Sequence, residues 1–301
     1  MTSPVTPRER PVFFPCGDES RAGILTVPAQ PNGRTVLIPW GAGVYPSSGR
    51  NRVRTRLARA LADQGFHAFR FDYRGVGESE GEYRKPNMAS PATADILAAC
   101  EWLRSQGLTR LVVAAHCFGG WSALMAAPQI TGLEGMAVIS APVRRDHREM
   151  RTSQRSWRWW ATRLKGLTLA KLRRSQNRAA YLKLARNQVS TFVRSRSRSS
   201  IGLGSSPQPE RRFAPAVDCL LDHGIPVFLL YGEDDFRGDL EAELDSGLRT
   251  ALEQAGDPTL LVTLPEKLGL ASLAAQDIVV DNVVKWVTGI PDTTQAFPRS
   301  S

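Results

Sequence analysis

The segment Ala115–Gly120 holds the residues best suited to covalent chemistry. It reads Ala-His-Cys-Phe-Gly-Gly and follows a buried apolar run, Leu111–Ala115. A small residue two positions before a nucleophile and a glycine two positions after it are typical of a tight strand-to-helix turn that lifts one side chain above a sheet. Compared with the pattern G-x-S-x-G, Cys117 takes the place of the serine. We therefore predict that Cys117 is a thiol nucleophile for acyl chemistry.

A nucleophile at such a turn needs N–H donors for the negative oxygen that forms during attack. The amide of Phe118 is expected to supply one, because it begins the following helix and lies at the positive end of the helix dipole. The second donor is expected from the loop after the buried strand Arg34–Trp40, so from Gly41 or Ala42. We expect these backbone groups to form an oxyanion hole.

Short β-rich runs alternate with helical patterns along most of the chain, which is typical of a mainly parallel sheet covered by helices on both faces. Strands are predicted at Val12–Phe14, Ile24–Val27, Arg34–Trp40, His67–Tyr73, Leu111–Ala115, Met136–Ala141, Ile225–Gly232 and Leu260–Leu264. Helices are predicted at Asn51–Gln64, Ala92–Gln106, Trp121–Ala127, Leu240–Gln254 and Leu273–Val287. This order places the Cys117 turn directly after the strongest strand.

The block Phe71–Ser79, which reads FDYRGVGES, is the most specific clue in the chain. Together with the Cys117 turn and the stretch Arg50–Arg52, it resembles the α/β-hydrolase superfamily, and within it the serine-aminopeptidase-like and exosortase-associated hydrolases. The likeness covers about Pro11–Pro142 and Ala214–Gly289. It implies an α/β-hydrolase fold, with a mainly parallel sheet, helices on both faces and an inserted basic helical lid.

The resemblance also implies a catalytic acid in a G-x-x-D turn and a histidine before the last helix. The turn Gly232–Asp235 makes Asp235 the match for the acid, with a plain capping aspartate as the alternative. The expected histidine is absent, because Leu268 occupies its place. No base is assigned among the four histidines, which are His67, His116, His147 and His223.

A cysteine needs less help than a serine to act as a nucleophile. A free thiol, with a pKa of about 8.5, is a few per cent ionised at neutral pH, and a helix N-terminus lowers that pKa. Cys117 can therefore accept an acyl group from an ester or thioester without a histidine, whereas hydrolysis of the acyl-enzyme lacks its general base. The alternatives are a thiol enzyme (thioesterase or acyltransferase), a catalytically degenerate binding protein, and a buried inert thiol.

The formal net charge of +10 is concentrated in one segment. Residues 143–212 contain 19 of the 39 Lys and Arg and only 3 of the 29 Asp and Glu, so they carry +16 and the rest of the chain −6. We predict a hydrolase core at 1–142 and 214–290, a basic lid insert at 143–213 and a flexible tail at 291–301.

The insert carries tryptophans beside arginines, as at Trp157, Arg158 and Trp159, and then leucines among basic residues. A basic amphipathic helix with tryptophans suits an anionic membrane surface, so residues 144–198 are a candidate membrane contact. A lid packed on the core is the structural alternative. A nucleic-acid partner is the least favoured, because no nucleic-acid motif is present. The predicted ligand is a small-molecule or lipid-like acyl substrate.

The sequence shows no motif for a cofactor or a targeting segment. Neither a metal-type cysteine spacing nor a phosphate-binding loop is present, so no metal and no organic cofactor are predicted. Residues 1–16 contain no apolar run of the signal-peptide kind, and no stretch reaches the roughly 18 apolar residues of a membrane span. We expect a cytoplasmic protein, with a peripheral position at the inner face of the membrane as the alternative.

Overall fold

The computed structural model describes residues 8–41, 46–143, 213–232, 237–264 and 272–292. The chain divides into two units, one of Met1–Arg145 with Arg211–Ser301 and one of Asp146–Glu210. All described residues belong to the first unit, so the basic insert lies outside them. The predicted boundaries of core, insert and tail therefore stay predictions.

Eight strands in the described part of the chain form one sheet. They are β1 (Arg8–Cys16), β2 (Glu19–Val27), β3 (Arg34–Ile38), β4 (His67–Phe71), β5 (Arg110–His116), β6 (Leu133–Ile139), β7 (Val227–Gly232) and β8 (Leu260–Leu264). Their order across the sheet is β1-β2-β4-β3-β5-β6-β7-β8. The hairpin β1–β2 is antiparallel and joins β4 antiparallel, and the remaining neighbours are parallel.

Helices connect the parallel strands. They are α1 (Val53–Asp63), α2 (Thr93–Ser105), α3 (Phe118–Ala126), α4 (Phe213–Asp222), α5 (Arg237–Glu243), α6 (Arg249–Ala255) and α7 (Leu273–Gly289). A π-helical turn, Leu244–Leu248, joins α5 to α6. The single helix predicted over Leu240–Gln254 is thus broken, because Gly247 has a φ of 120°, which an α-helix does not accommodate.

Two apolar cores lie on opposite faces of the sheet. Within β3, Leu37 belongs to one core, while its neighbours Val36 and Ile38 belong to the other. The first core packs against α2, α3 and α4, and the second against α1 and α7. Because parallel strands are buried on both faces, they read as unbroken apolar runs, as β5 does. The predicted α/β class, mainly parallel with helices on both faces, is confirmed.

The sequence predicted the interior strands better than the elements at the margins. The hairpin β1–β2 is longer than the predicted strands, because β1 is an edge strand whose exposed residues interrupt the apolar pattern. Helix α4 was not predicted, since it is short and directly follows the basic insert. Helix α3 begins at Phe118 rather than Trp121, because two glycines in its first turn weaken the helical pattern.

Candidate active site

Cys117 lies between β5 and α3 in a backbone conformation that residues with side chains rarely adopt. Its φ is 52° and its ψ is −125°, and a strained conformation of this kind costs about 1–3 kcal/mol and is found mainly at functional sites. The His116 N–H donates to the Pro39 carbonyl (3.1 Å) and the Cys117 N–H to the Ile139 carbonyl (2.9 Å). Hydrogen bonds to the chain at the ends of β3 and β6 therefore hold the strained turn in place.

Two glycines let neighbouring backbone approach this turn closely. A Cβ atom at Gly119 would lie 2.6 Å from the carbonyl oxygens of both Pro39 and Trp40. A Cβ atom at Gly41 would lie 3.2 Å from the Cβ of Cys117. The strand-to-helix turn and the loop after β3 are thus in contact, as the predicted oxyanion hole requires.

The two predicted oxyanion donors that the structure describes both adjoin Cys117. Phe118 is the first residue of α3, so its N–H has no acceptor within the helix. Gly41 lies against the Cys117 side chain. Ala42 lies outside the described residues. The role of these amides as donors stays a prediction.

The predicted acid and the place of the missing histidine lie outside the described residues. Asp235 belongs to the segment 233–236 after β7, and Leu268 to the segment 265–271 after β8. Strands β5, β7 and β8 are parallel, so β7 and β8 end at the same edge of the sheet as the strand before Cys117. The role of Asp235 stays a prediction.

His116, the histidine nearest in sequence to the nucleophile, serves packing. Its ring stacks on Trp40, with 4.8 Å between the ring centroids. Burial, assisted by the positive charge of Arg54, lowers the pKa of His116 to about 3. A base with so low a pKa does not keep a proton taken from a thiol at neutral pH.

Two further histidines lie at the wrong edge of the sheet for proton transfer to Cys117. His67 begins β4, which runs in the same direction as β3 and β5, so it stands at the amino edge, whereas Cys117 stands at the carboxyl edge. His223 lies between α4 and β7, again at the amino edge, with its Nδ1 2.7 Å from the carbonyl oxygen of Cys219. His147 lies outside the described residues.

Three polar residues beside the turn were missed by sequence reasoning. They are Arg54 on α1 and the consecutive residues Asp72 and Tyr73 after β4. Burial lowers the pKa of Arg54 to about 10 and raises that of Asp72 to about 6, while each charge favours ionisation of the other. At neutral pH both side chains are ionised, and their opposite charges attract each other in the interior. Asp72 and Tyr73 belong to the FDYRGVGES block, which was the only sequence signal for them.

Tyr73 lies beside the Cys117 turn, with its ring edge-on to that of Phe118 and 6.4 Å between the ring centroids. Burial raises the pKa of its hydroxyl, and negative charge on Cys117 raises it further. The hydroxyl is therefore protonated at neutral pH, and its oxygen is buried without a hydrogen-bond partner in the described part of the chain. A neutral O–H group of this kind is a potential hydrogen-bond donor beside the Cys117 turn.

Asp72 is expected to make stability depend on pH. Its pKa is raised from 3.8 to about 6, mainly by burial, so the folded state binds the proton more tightly than the unfolded state. The resulting stabilisation is fully present below pH 3.8 and is lost as the pH rises to about 6. Across this window we expect the free energy of unfolding to fall by up to about 3 kcal/mol relative to Asp72→Asn, whose amide does not titrate.

Urea unfolding of the wild-type protein and of Asp72→Asn, at a series of pH values from about 4 to 7, measures this effect. The amide also weakens the backbone hydrogen bonds that the carboxylate accepts from Ser47 and Glu78, so Asp72→Asn has a constant cost of its own. Only the change of the difference with pH is diagnostic. A difference that stays constant with pH contradicts the prediction.

A cavity of about 500 Å³ lies at the carboxyl edge of the sheet, lined by Tyr73 after β4, Phe118 after β5 and the first turn of α2. Open α/β sheets bind their ligands at this edge. Because Phe118 directly follows Cys117, the cavity adjoins the nucleophile turn. It is therefore the candidate substrate site.

The ranges that the structure describes contain neither a metal-binding cluster nor a membrane-spanning helix. No group of three or more His, Cys, Asp or Glu side chains there could hold a metal ion. None of the helices in those ranges is sufficiently long and apolar to cross a bilayer. Cys16, Cys100, Cys117 and Cys219 are all free thiols.

The strand order, together with the strained turn after β5, defines an α/β hydrolase by fold. Residues 48–256 match the sequence pattern of the serine aminopeptidase family S33. The chain therefore belongs to the serine aminopeptidase S33 family. It has Cys117 at the turn after β5, where the family pattern predicts a serine, and the predicted place of the family histidine at Leu268 stays a prediction.

Solved structures of other proteins share this fold. The esterase Pf2001 of Pyrococcus furiosus is 13% identical, with a TM-score of 0.62 over 94% of this chain and 92% of that chain. The dienelactone hydrolase of Anabaena variabilis is 14% identical, with a TM-score of 0.55 over 95% and 100%. The proline iminopeptidase of Mycobacterium smegmatis is 18% identical, with a TM-score of 0.52 over 93% and 98%. At these identities the likeness shows the fold.

Two curated relatives match parts of the sequence. The uncharacterized protein RP471 of Rickettsia prowazekii is 25% identical over 141 residues, which are 46% of this chain and 58% of that protein. The human Protein ABHD12B is 33% identical over 67 residues, which are 22% of this chain and 17% of that protein. The chain spans less than two thirds of the length of either relative.

Proposed function

We propose that this member of a hydrolase family forms an acyl-enzyme at Cys117 and acts on an ester, thioester or related acyl group. The observation that carries the proposal is the conformation of Cys117, with φ 52° and ψ −125° at the start of α3. A buried inert thiol needs no such strain, whereas a nucleophile presented above a sheet does. The names of the structural relatives, an esterase, a dienelactone hydrolase and a proline iminopeptidase, support acyl chemistry.

The proposed reaction begins when the Cys117 thiolate attacks the carbonyl carbon of the substrate. A carbon–sulfur bond forms, and the electron pair of the carbonyl moves to its oxygen, where the amides of Phe118 and of Gly41 or Ala42 donate hydrogen bonds. Collapse of this intermediate breaks the bond to the leaving group, which departs as an alcohol or thiol with the proton released by Cys117. Water or another nucleophile then takes the acyl group.

The second half of this reaction distinguishes the protein from a serine hydrolase. Hydrolysis of an acyl-enzyme needs a general base to deprotonate water, and Leu268 occupies the place of the family histidine. His67, His116 and His223 are accounted for above by packing or by their place at the amino edge. We therefore propose slow hydrolysis or transfer of the acyl group to a better nucleophile, with Asp235 as a partial support or a relic.

A binding role without turnover is the second candidate function. It is favoured by the loss of the histidine, since a site that only holds an acyl ligand needs no base. Contact of residues 144–198 with an anionic membrane surface fits either function and stays a proposal, because these residues lie outside the described part of the chain. The two functions differ in whether Cys117 forms a covalent bond.

Intact-protein mass spectrometry after incubation with a short p-nitrophenyl ester or acyl thioester tests the proposal. We expect one acyl group per chain, located on Cys117 by peptide mapping and removed by hydroxylamine. Cys117→Ala should abolish the adduct, and Cys219→Ala, which removes another free and partly accessible thiol, should leave it unchanged. Equal labelling of wild type and Cys117→Ala, or no labelling of either, overturns the enzyme in favour of the binding protein.

A further inference from the structure

We propose that the cavity beside Cys117 binds an anionic group, a phosphate or a carboxylate, carried by an otherwise apolar acyl substrate. This proposal deepens the proposed function and rests on it, because the bound molecule is a substrate only if Cys117 is acylated. It follows from the charges, the anchoring and the apolar surface of the cavity wall.

Positive side chains outnumber negative ones around the cavity. Arg21, Arg74, Arg84 and Lys85 line it, against the single carboxylate of Asp95. Asp95 is already neutralised, because its Oδ1 accepts a hydrogen bond from the Nε of Arg21 at 2.6 Å. The negative charge on the wall is therefore not available to the other cations.

Two of the cations have no counterion among the described residues. Arg74 forms an ion pair with Glu19. Arg84 and Lys85, by contrast, form no ion pair with any residue in the described ranges. Their neighbouring positions give one edge of the cavity two charges without a local partner. An anion bound there would gain attraction without displacing an existing ion pair.

The chain on both sides of this cationic edge is anchored. Before it, Gly75 packs so closely on Tyr83 that a Cβ atom at Gly75 would overlap the backbone nitrogen of Tyr83. After it, the carbonyl oxygen of Met88 accepts a hydrogen bond from the indole Nε1 of Trp121 at 3.0 Å. The segment between these two points carries Arg84 and Lys85, so their backbone is held at the cavity in advance of binding.

The rest of the wall fits an apolar ligand body. Val76, Tyr83, Pro86, Pro91 and Phe118 line the cavity together with the cations. Tyr73 also belongs to the lining. Phe118 lines the cavity and directly follows Cys117 in the chain, so the cavity adjoins the Cys117 turn. An amphiphile with one anionic group matches this surface.

Isothermal titration of the full-length Cys117→Ala variant tests the site independently of turnover. The probes are hexyl phosphate, heptanoate and hexanol, which share an apolar chain and differ in the anionic group. We expect at least one of the two anions to bind about ten-fold more tightly than hexanol, with the advantage falling as salt is added. The anion that binds more tightly shows whether the anionic group of the substrate is a phosphate or a carboxylate.

Substitution of the two free cations gives the decisive comparison. In Cys117→Ala carrying Arg84→Gln and Lys85→Gln, we expect the anions to bind no more tightly than hexanol. The matched control carries Arg104→Gln and Arg249→Gln, which remove two exposed cations that do not line the cavity, and should retain the ten-fold preference. Equal binding of all three probes overturns the anion site, even if Cys117 is acylated in the wild-type protein. Acylation failure with an intact anion preference overturns the thiol enzyme alone.

Discussion

Cys117→Ser is expected to lower the rate of acyl-enzyme formation by about 10²- to 10⁴-fold, which is the usual contribution of a general base. In a serine hydrolase, serine is the nucleophile at this turn. A serine hydroxyl is hardly ionised at neutral pH, so it depends on a histidine to take its proton. Here the family pattern predicts Leu268 at the place of that histidine, and burial lowers the pKa of His116 to about 3.

The burst of p-nitrophenolate in a stopped-flow experiment measures this rate, and Cys219→Ser serves as the control for a serine introduced elsewhere. The control should react at the wild-type rate, because Cys219 lies on α4, away from the carboxyl edge of the sheet. If Cys117→Ser reacts as fast as wild type, an unrecognised base must be present. The thiol-specific mechanism would then be wrong.

Gly119→Ala is expected to have the largest effect on stability among single-methyl substitutions at the site. The added Cβ atom would lie 2.6 Å from the carbonyl oxygens of Pro39 and Trp40, both of which are backbone atoms. Helix α3 must then move away from the chain that follows β3. We expect a loss of about 3 kcal/mol or more in the free energy of unfolding, together with loss of Cys117 acylation because the turn is displaced.

Gly289→Ala is the matched control for this substitution. Gly289 is the last residue of α7, and a Cβ atom there would have nothing within 4 Å. Alanine favours a helix over glycine by up to about 1 kcal/mol, so this variant should be unchanged or slightly more stable. Thermal and urea unfolding of both variants provide the measurement. Equal stability of the two would show that α3 does not depend on the close approach at Gly119.

Short local patterns in the sequence were sufficient to predict the family. The apolar run before Cys117 predicted a buried strand, and the small residues around Cys117 predicted a sharp turn into a helix. Both signals work because strand burial and turn sterics depend on residues that adjoin one another in sequence. Phe118 and Gly41 were named for the same reason, from their place after two neighbouring strands.

Irregular elements escaped local reasoning. The break at Gly247 arises from a φ of 120° at a residue type that helices also tolerate, so the apolar period continues across it. The start of α3 was missed because its glycines are poor helix formers, and they are present for the approach of the chain after β3 rather than for helix stability. In both cases a tertiary requirement overrides intrinsic propensity.

The sequence by itself determined the α/β class, the turn that carries Cys117 and the absence of a histidine at the position of Leu268, since each depends on residue identity and near neighbours. Only the tertiary structure decided which distant side chains surround the turn. Arg54 on α1 and Tyr73 after β4 are both buried near the Cys117 turn, because the charge of Arg54 acts on His116 and the Tyr73 ring lies edge-on to that of Phe118. Their charges and protonation follow from that burial, and burial is a property of packing between segments far apart in the chain.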